Sequence, residues 1–309
     1  MKKDGLFVVM FLLFVILIAG CTPKQPENPQ DVAAVTRYVR SGTLGLDIKF
    51  TQNVPPAQIY DTSDLTALLE IKNVGTYDLS GNKCFVQLGG FDPTIIRGVN
   101  ARQACGDLPG KNVYSVDGSF ETTEFHSGSI TLPHDVDNYK PTLVATACYE
   151  YQTIASPQVC VDPHFYELTA QQKSCQVRDF GVSGGQGAPV AVTYVNVDMV
   201  GSKAVFAIDI ANVGGGRVVS PRAGIQQCPV GLKYDDFDEV RYRLELSGGR
   251  MIQCTPRNFL VRLTGDRGKV VCTFDVGNSQ AYETPLRIQL DYNYMQSLQK
   301  PLEIVRTPN

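Results

Sequence analysis

Eight cysteines, Cys84, Cys105, Cys148, Cys160, Cys175, Cys228, Cys254 and Cys272, are the most reactive groups in the body of this 309-residue chain, and a ninth, Cys21, stands apart near the start. Two chemistries suit such a set. A zinc site needs four converging thiolates or imidazoles, commonly with a close pair such as C-x2-C. The closest spacing here, Cys148 to Cys160, is far wider. Disulfides are therefore expected and no metal is. Eight is an even number, and up to four bonds would each restrict the unfolded ensemble by about 2–4 kcal/mol in an oxidising compartment.

Other chemistry-bearing residues gather less well. Gly181-Val182-Ser183-Gly184-Gly185 matches the letters of a nucleophile elbow. That device needs a sharp strand-to-helix turn with acid and histidine partners downstream. The three histidines, His126, His134 and His164, all precede it, and a Gly-rich linker explains the letters. Tyr234-Asp235-Asp236-Phe237-Asp238-Glu239 crowds four carboxylates, which raises calcium because hard cations take oxygen ligands. It lacks the spacing of an EF-hand loop and reads as a solvated acidic loop. Asn-x-Ser/Thr acceptors are absent. The fourteen tyrosines include pairs at alternating strand positions, where packing accounts for them. No catalytic residue emerges, so the chain is expected not to be an enzyme and to need no cofactor.

The bulk composition sets the frame for these residues. Hydrophobic content of 43% against 19% charged describes a globular chain long enough for two domains. The formal charge is −3, and losing residues 1–20, which carry a net +1, would leave −4. Nucleic acid binding needs a basic patch that releases counterions. No basic run denser than Arg241 and Arg243 occurs, so a nucleic-acid partner is not expected.

Residues 2–21 have signal-peptide grammar: Lys2 and Lys3, the apolar run Leu6 to Ile18, then Ala19, Gly20 and Cys21. The last four, Ile18-Ala19-Gly20-Cys21, resemble the lipobox of prokaryotic lipoproteins, which implies lipid attachment at Cys21. A retained signal anchor is the alternative, the apolar run being short for a span of about 20 residues. Either way the bulk of the chain is expected outside the cytoplasm, attached to the membrane by its N-terminus. Residues 21–42, with Pro23, Pro26 and Pro29, suggest a semi-rigid stalk, within which Asp31 could cap a short helix bearing Val32, Val35 and Val39 on one face.

The body alternates with period two: Leu65, Ala67, Leu69 and Ile71, and again Phe206, Ile208 and Ile210. The two runs end alike, in Asn73-Val74-Gly75 and Asn212-Val213-Gly214, where Asn and Gly tolerate the positive φ of a turn. Cys148-Tyr149-Glu150-Tyr151 follows the first about as far as Asp291-Tyr292-Asn293-Tyr294 follows the second. This repeat predicts an all-β chain of two tandem immunoglobulin-like antiparallel β-sandwiches, at 43–162 and 188–306, joined by a linker at 163–187 whose four glycines from Gly181 to Gly187 suggest a flexible hinge. A strand ending in Asn-Val-Gly before a polar turn also resembles CARDB-like modules of bacterial and archaeal surface proteins. That resemblance brings no catalytic residues.

Aligning the repeats places Cys148 on the face away from the tyrosines, as a thiol outside the core. Cys160 could meet Cys148 or Cys175, and Cys175 is favoured because that bond would staple Val161 to Ser174. Cys254 with Cys272 would close a hairpin around Thr264-Gly265-Asp266. Cys84 with Cys105 would tie down the excursion from Gly90 to Ala104. Cys148 and Cys228 would then form an interdomain pair or remain free. The function expected is adhesion, envelope organisation or protein binding by a non-enzymatic, membrane-anchored protein. The alternatives are an accessory subunit of a membrane or secretion complex with a retained helix, and a solute- or glycan-binding surface protein.

Overall fold

The computed structural model describes residues 31–167 and 173–308, so the Lys2–Cys21 segment and the first part of the stalk lie outside the described residues. Strand accounts for 49% of the described residues against 6% for helix, and the sheets are mostly antiparallel, which makes the fold all-β. The alternation read from the sequence is the packing pattern: Ala67, Leu69 and Ile71 point inward from the strand Thr66–Asn73 while Glu70 points out. Ala204, Phe206, Ile208 and Ile210 do the same from Lys203–Asn212.

Each half of the chain closes a smaller sheet over a larger one that both halves share. The first half supplies Leu46–Phe50, Thr66–Asn73 and Phe120–His126. The second supplies five strands centred on Lys203–Asn212. The shared sheet runs in the order Leu260–Arg262, Glu239–Leu246, Tyr282–Pro301, Thr142–Ala155, Cys84–Gly89, Arg102–Ala104. Its middle is a seam in which Thr142–Ala155 pairs antiparallel with Tyr282–Pro301 along its whole length. Tyr149 faces Tyr294 and Tyr151 faces Tyr292, so the two halves meet about a dyad at Glu150 and Asn293.

The tail strands are exchanged across this dyad. Gln158–Val161, the end of the first half, pairs with Tyr282–Pro285 of the second. Glu303–Val305, the end of the second half, pairs with Gln58–Tyr60 and Asn138–Tyr139 of the first. One continuous hydrophobic core spans both halves.

The glycine-rich stretch is tied down, unlike the flexible hinge expected of it. Gly42 donates its N–H to the Gly184 carbonyl (2.7 Å) and accepts from the Gly187 N–H (3.0 Å), whose carbonyl in turn accepts from Thr76 N (3.0 Å). The buried Gln186 side chain bonds both the N–H and the carbonyl of Val192. Gly184, Gly185 and Gly187 all have positive φ, which wraps the chain tightly against its neighbours.

The stalk expectation also changes at its end. Asp31 caps the helix Val32–Val39 through Oδ1, which accepts from Ala34 N at 3.0 Å. Val35 and Val39 are buried against the body while Val32 is exposed, so residues 31–42 are docked on the body. Lys111 Nζ holds the helix exit by donating to the Ser41 carbonyl at 2.9 Å. Among the described residues no helix is long and apolar enough to cross a membrane.

Candidate binding face at the seam

The repeated Asn-Val-Gly and tyrosine motifs meet in space, and the two copies repeat the same corner bonds while differing in others. The Tyr151 hydroxyl donates to Asn73 Oδ1 (3.3 Å) and accepts from Tyr77 N (3.4 Å). The Tyr294 hydroxyl donates to Asn212 Oδ1 (2.9 Å) and accepts from Gly216 N (2.9 Å). Asn73 Nδ2 donates to the carbonyl of Tyr77, and Asn212 Nδ2 to that of Gly216, four residues on in each case. Leu46 N and Val190 N donate to the hydroxyls of Tyr149 and Tyr292.

These bonds correct the reason given for the glycines. Neither Gly75 nor Gly214 has positive φ. They are glycines because a Cβ would stand 1.9 Å from the Tyr151 hydroxyl and 2.5 Å from the Tyr294 hydroxyl. Burial pushes the Tyr149, Tyr151 and Tyr292 hydroxyls well above the usual tyrosine range and Tyr294 up to about 12. The quartet is neutral at ordinary pH, and its role is to lock the corners to the seam.

Four disulfides form: Cys84–Cys105, Cys148–Cys228, Cys160–Cys175 and Cys254–Cys272. Such a set belongs to an oxidising, extracytoplasmic environment. Cys21 lies outside the described residues. Of the two fates open to Cys148 and Cys228, the bond is the one found, and it crosses between the halves. Cys148 does lie on the face away from the tyrosines, yet it is buried, because the chain from Ser220 to Asp236 crosses that face and seals it.

This crossing segment is fastened at several points. Arg102 donates to the carbonyls of Cys228 (2.5 Å) and Ile225 (3.3 Å). Asn293 Nδ2 donates to the carbonyls of Ser220 and Ala223. Glu239, nearly buried, pairs with Arg222 at 2.7 Å and accepts from Ser220 Oγ at 2.7 Å. The acidic run around it is thereby divided: Asp236 accepts from Lys233 N and Asp238 pairs with Arg217. Among the described residues no three His, Cys, Asp or Glu side chains gather as a metal site.

Beyond the segment the same sheet face is open. Its side chains stand in cross-strand rows: Arg241–Asp291–Gln152, then Arg243–Gln289–Ile154, then Glu245 beside Arg287. Two cavities flank it. One of about 420 Å³ is lined by Arg40, Tyr77, Lys111, Gln152 and Ile154 among others. The other, of about 410 Å³, is lined by Arg241, Arg243, Asn258, Phe259 and Asp291 among others. The bond from Gln152 Nε2 to Asp291 Oδ1, at 2.7 Å, joins the two linings. Only the Arg241 and Arg243 pair was visible in the sequence, because Arg40, Lys111 and Gln152 come from separate regions of the chain.

A larger hollow of about 830 Å³ lies against Asn212 and Asp266, but its Lys269 is committed to Asp209 at 3.1 Å and its Asp266 to Asn212. The histidines and Ser183 sit apart. His126 ends a strand beside Thr66, His164 pairs with Glu167, and Ser183 lies in the glycine wrap.

No family model and no curated protein matches the chain. Among solved structures it is similar to the secreted serine protease VesC from Vibrio cholerae, at 12% identity and TM-score 0.21, over 90% of this chain. The chain spans 55% of the length of that protein. It is also similar to the B domain of a biofilm associated protein, at 7% identity and TM-score 0.15, over 81% of this chain and 72% of the other. The collagen adhesin (CNA) from S. aureus matches at 12% identity and TM-score 0.15, over 87% and 93%. Superpositions this loose transfer neither activity nor ligand. The expectation that the chain is not an enzyme meets a contrary likeness in the secreted serine protease and is not carried further.

Proposed function

We propose that this chain is an extracytoplasmic binding protein of the cell envelope, tethered through its N-terminus at Cys21 and presenting the open face of the shared sheet to its ligand. The observation that carries this reading is that face itself. Ser220 to Asp236 covers one end of it, and the rest keeps polar side chains standing in rows between two cavities. Adhesion and envelope organisation need such a surface on a rigid support, and four disulfides with an unbroken core supply the rigidity.

The test has two arms. Intact mass spectrometry of the protein from native membranes is expected to find Cys21 as an acylated N-terminus; an unmodified chain retaining residues 1–20 would replace the lipid anchor with a membrane-spanning one and favour a complex subunit. The full-length protein in detergent is expected to bind isolated cell envelopes saturably. Absence of saturable binding would overturn the adhesive reading.

A further inference from the structure

The open face is cationic although the chain carries a formal −3. Four cations, Arg40, Lys111, Arg241 and Arg243, line its two cavities against one carboxylate, Asp291. None of the four cations forms an ion pair among the described residues. Asp291 is already occupied, accepting from the amides of Gln152 (2.7 Å) and Gln289 (3.1 Å). In the next row Glu245 lies across from Arg287. Charge complementarity therefore selects an anionic ligand, and the separation of the cavities across three strands, about 10 Å at the usual interstrand spacing, selects one with more than one negative group.

The floor of the face says what kind of polymer fits. Its middle strand, Tyr282–Pro301, is paired on both sides from Ile288 to Asp291, so the middle of the face offers no backbone edge to which a peptide could add as a strand. What the face does offer is side chains: guanidinium forks for carboxylates, the Gln152 and Gln289 amides, and an aromatic ring at either end, Tyr77 and Phe259. Sugars are held in this way, hydroxyls on amides and ring faces on aromatics. Phe259 adds an independent sign. It has φ 57, a left-handed conformation unusual for a bulky residue, and stays 43% exposed on the cavity wall.

We propose that the open face binds an anionic polysaccharide, with Arg241 and Arg243 gripping carboxylates of one stretch and Lys111 and Arg40 those of the next, while Phe259 and Tyr77 stack on sugar rings. The inference rests on the binding reading above and adds the ligand class.

The test uses the full-length protein in detergent with polygalacturonate, a neutral glucan and polyglutamate as probes. Wild type is expected to bind polygalacturonate with an affinity that falls as salt rises, and to bind the neutral glucan and polyglutamate at least roughly tenfold more weakly. Arg241→Gln with Arg243→Gln is expected to weaken polygalacturonate binding by roughly tenfold or more, and Phe259→Ala to weaken it too, while Lys269→Gln, on the other hollow, leaves it unchanged. Arg241 and Arg243 are exposed, so the unfolding midpoint should hold; were the double variant to misfold, Arg40→Gln, at another exposed position, gives the same readout from the other cavity. Absent polygalacturonate binding, binding indifferent to these substitutions, or equal or tighter binding of polyglutamate would each overturn the proposal. Saturable envelope binding that survives the double substitution would sink the ligand class alone and leave the broader reading standing.

Discussion

The hydroxyl of Tyr151 occupies the place a side chain on Gly75 would take, 1.9 Å from the position of its Cβ. Gly75→Ala is therefore expected to destabilise the fold by about 1–3 kcal/mol, as overpacking does. Tyr151→Phe alone should cost about 1 kcal/mol for its lost hydrogen bonds. In the double variant the two costs should fall short of their sum, because removing the hydroxyl removes the first clash. The relief is partial, since the Gly187 carbonyl oxygen would still lie 2.5 Å away. Denaturant unfolding of the four proteins measures this coupling, and strict additivity would refute the stated cause.

The disulfides should differ in their contribution. Cys148–Cys228 closes a separation of 80 residues and Cys160–Cys175 one of 15. Loop-closure entropy assigns about 4.5 kcal/mol to the first and about 3 kcal/mol to the second. Paired Cys→Ser replacements, compared by unfolding midpoint, should rank in that order. A smaller loss from the 148–228 pair would mean that Arg102 and Asn293 alone hold the crossing segment.

Asn293 makes two buried bonds at the centre of the seam, to the carbonyls of Ser220 and Ala223. Asn293→Ala leaves both acceptors without that donor and is expected to cost about 1–3 kcal/mol. Hydrogen exchange should show the loss concentrated in 220–236, with the tyrosine side of the sheet still protected. Uniform loss of protection would argue against a segment fastened on its own.

Alkaline pH should unfold the chain through its tyrosines. A tyrosine whose pKa is raised by folding keeps its proton longer in the native state. Its contribution is full below the unfolded value of about 10 and declines as pH rises towards and through the folded value. Tyr294 and Tyr242 are pushed up to about 12, and Tyr149, Tyr151 and Tyr292 are also raised, all chiefly by burial. Stability is thus expected to fall from about pH 10 upward, with part of the tyrosinate absorbance appearing only as the protein unfolds. Complete ionisation of all fourteen tyrosines ahead of unfolding would contradict this.

Limited proteolysis tests the glycine wrap. Tyr114 is 97% exposed in the turn after Asn112, whereas Gly184 and Gly187 are hydrogen-bonded to Gly42 and Gln186 is buried. Chymotrypsin should cut after Tyr114 under conditions in which an unspecific protease leaves 181–187 intact. Early cleavage at 181–187 would restore the hinge.

The sequence by itself determined the local and repeated features. Alternation at Leu65 to Ile71 and Phe206 to Ile210 is a burial pattern carried by a few adjacent residues, and the pairing of two Asn-Val-Gly corners with two tyrosine pairs is a repeat visible without coordinates. The cysteines, spaced too widely for zinc, pointed to disulfides for the same local reason. Tertiary structure alone decided how the halves join. Both repeats present strands of the same pattern, so nothing in alternation tells whether Thr142–Ala155 should pair within its own half or with Tyr282–Pro301. That choice belongs to the total burial and hydrogen bonding of the assembled sheet. The exchanged tails, the burial of Cys148 beneath 220–236, and the meeting of Lys111, Gln152, Asp291 and Arg241 on one face all depend on that long-range pairing, between residues more than a hundred positions apart.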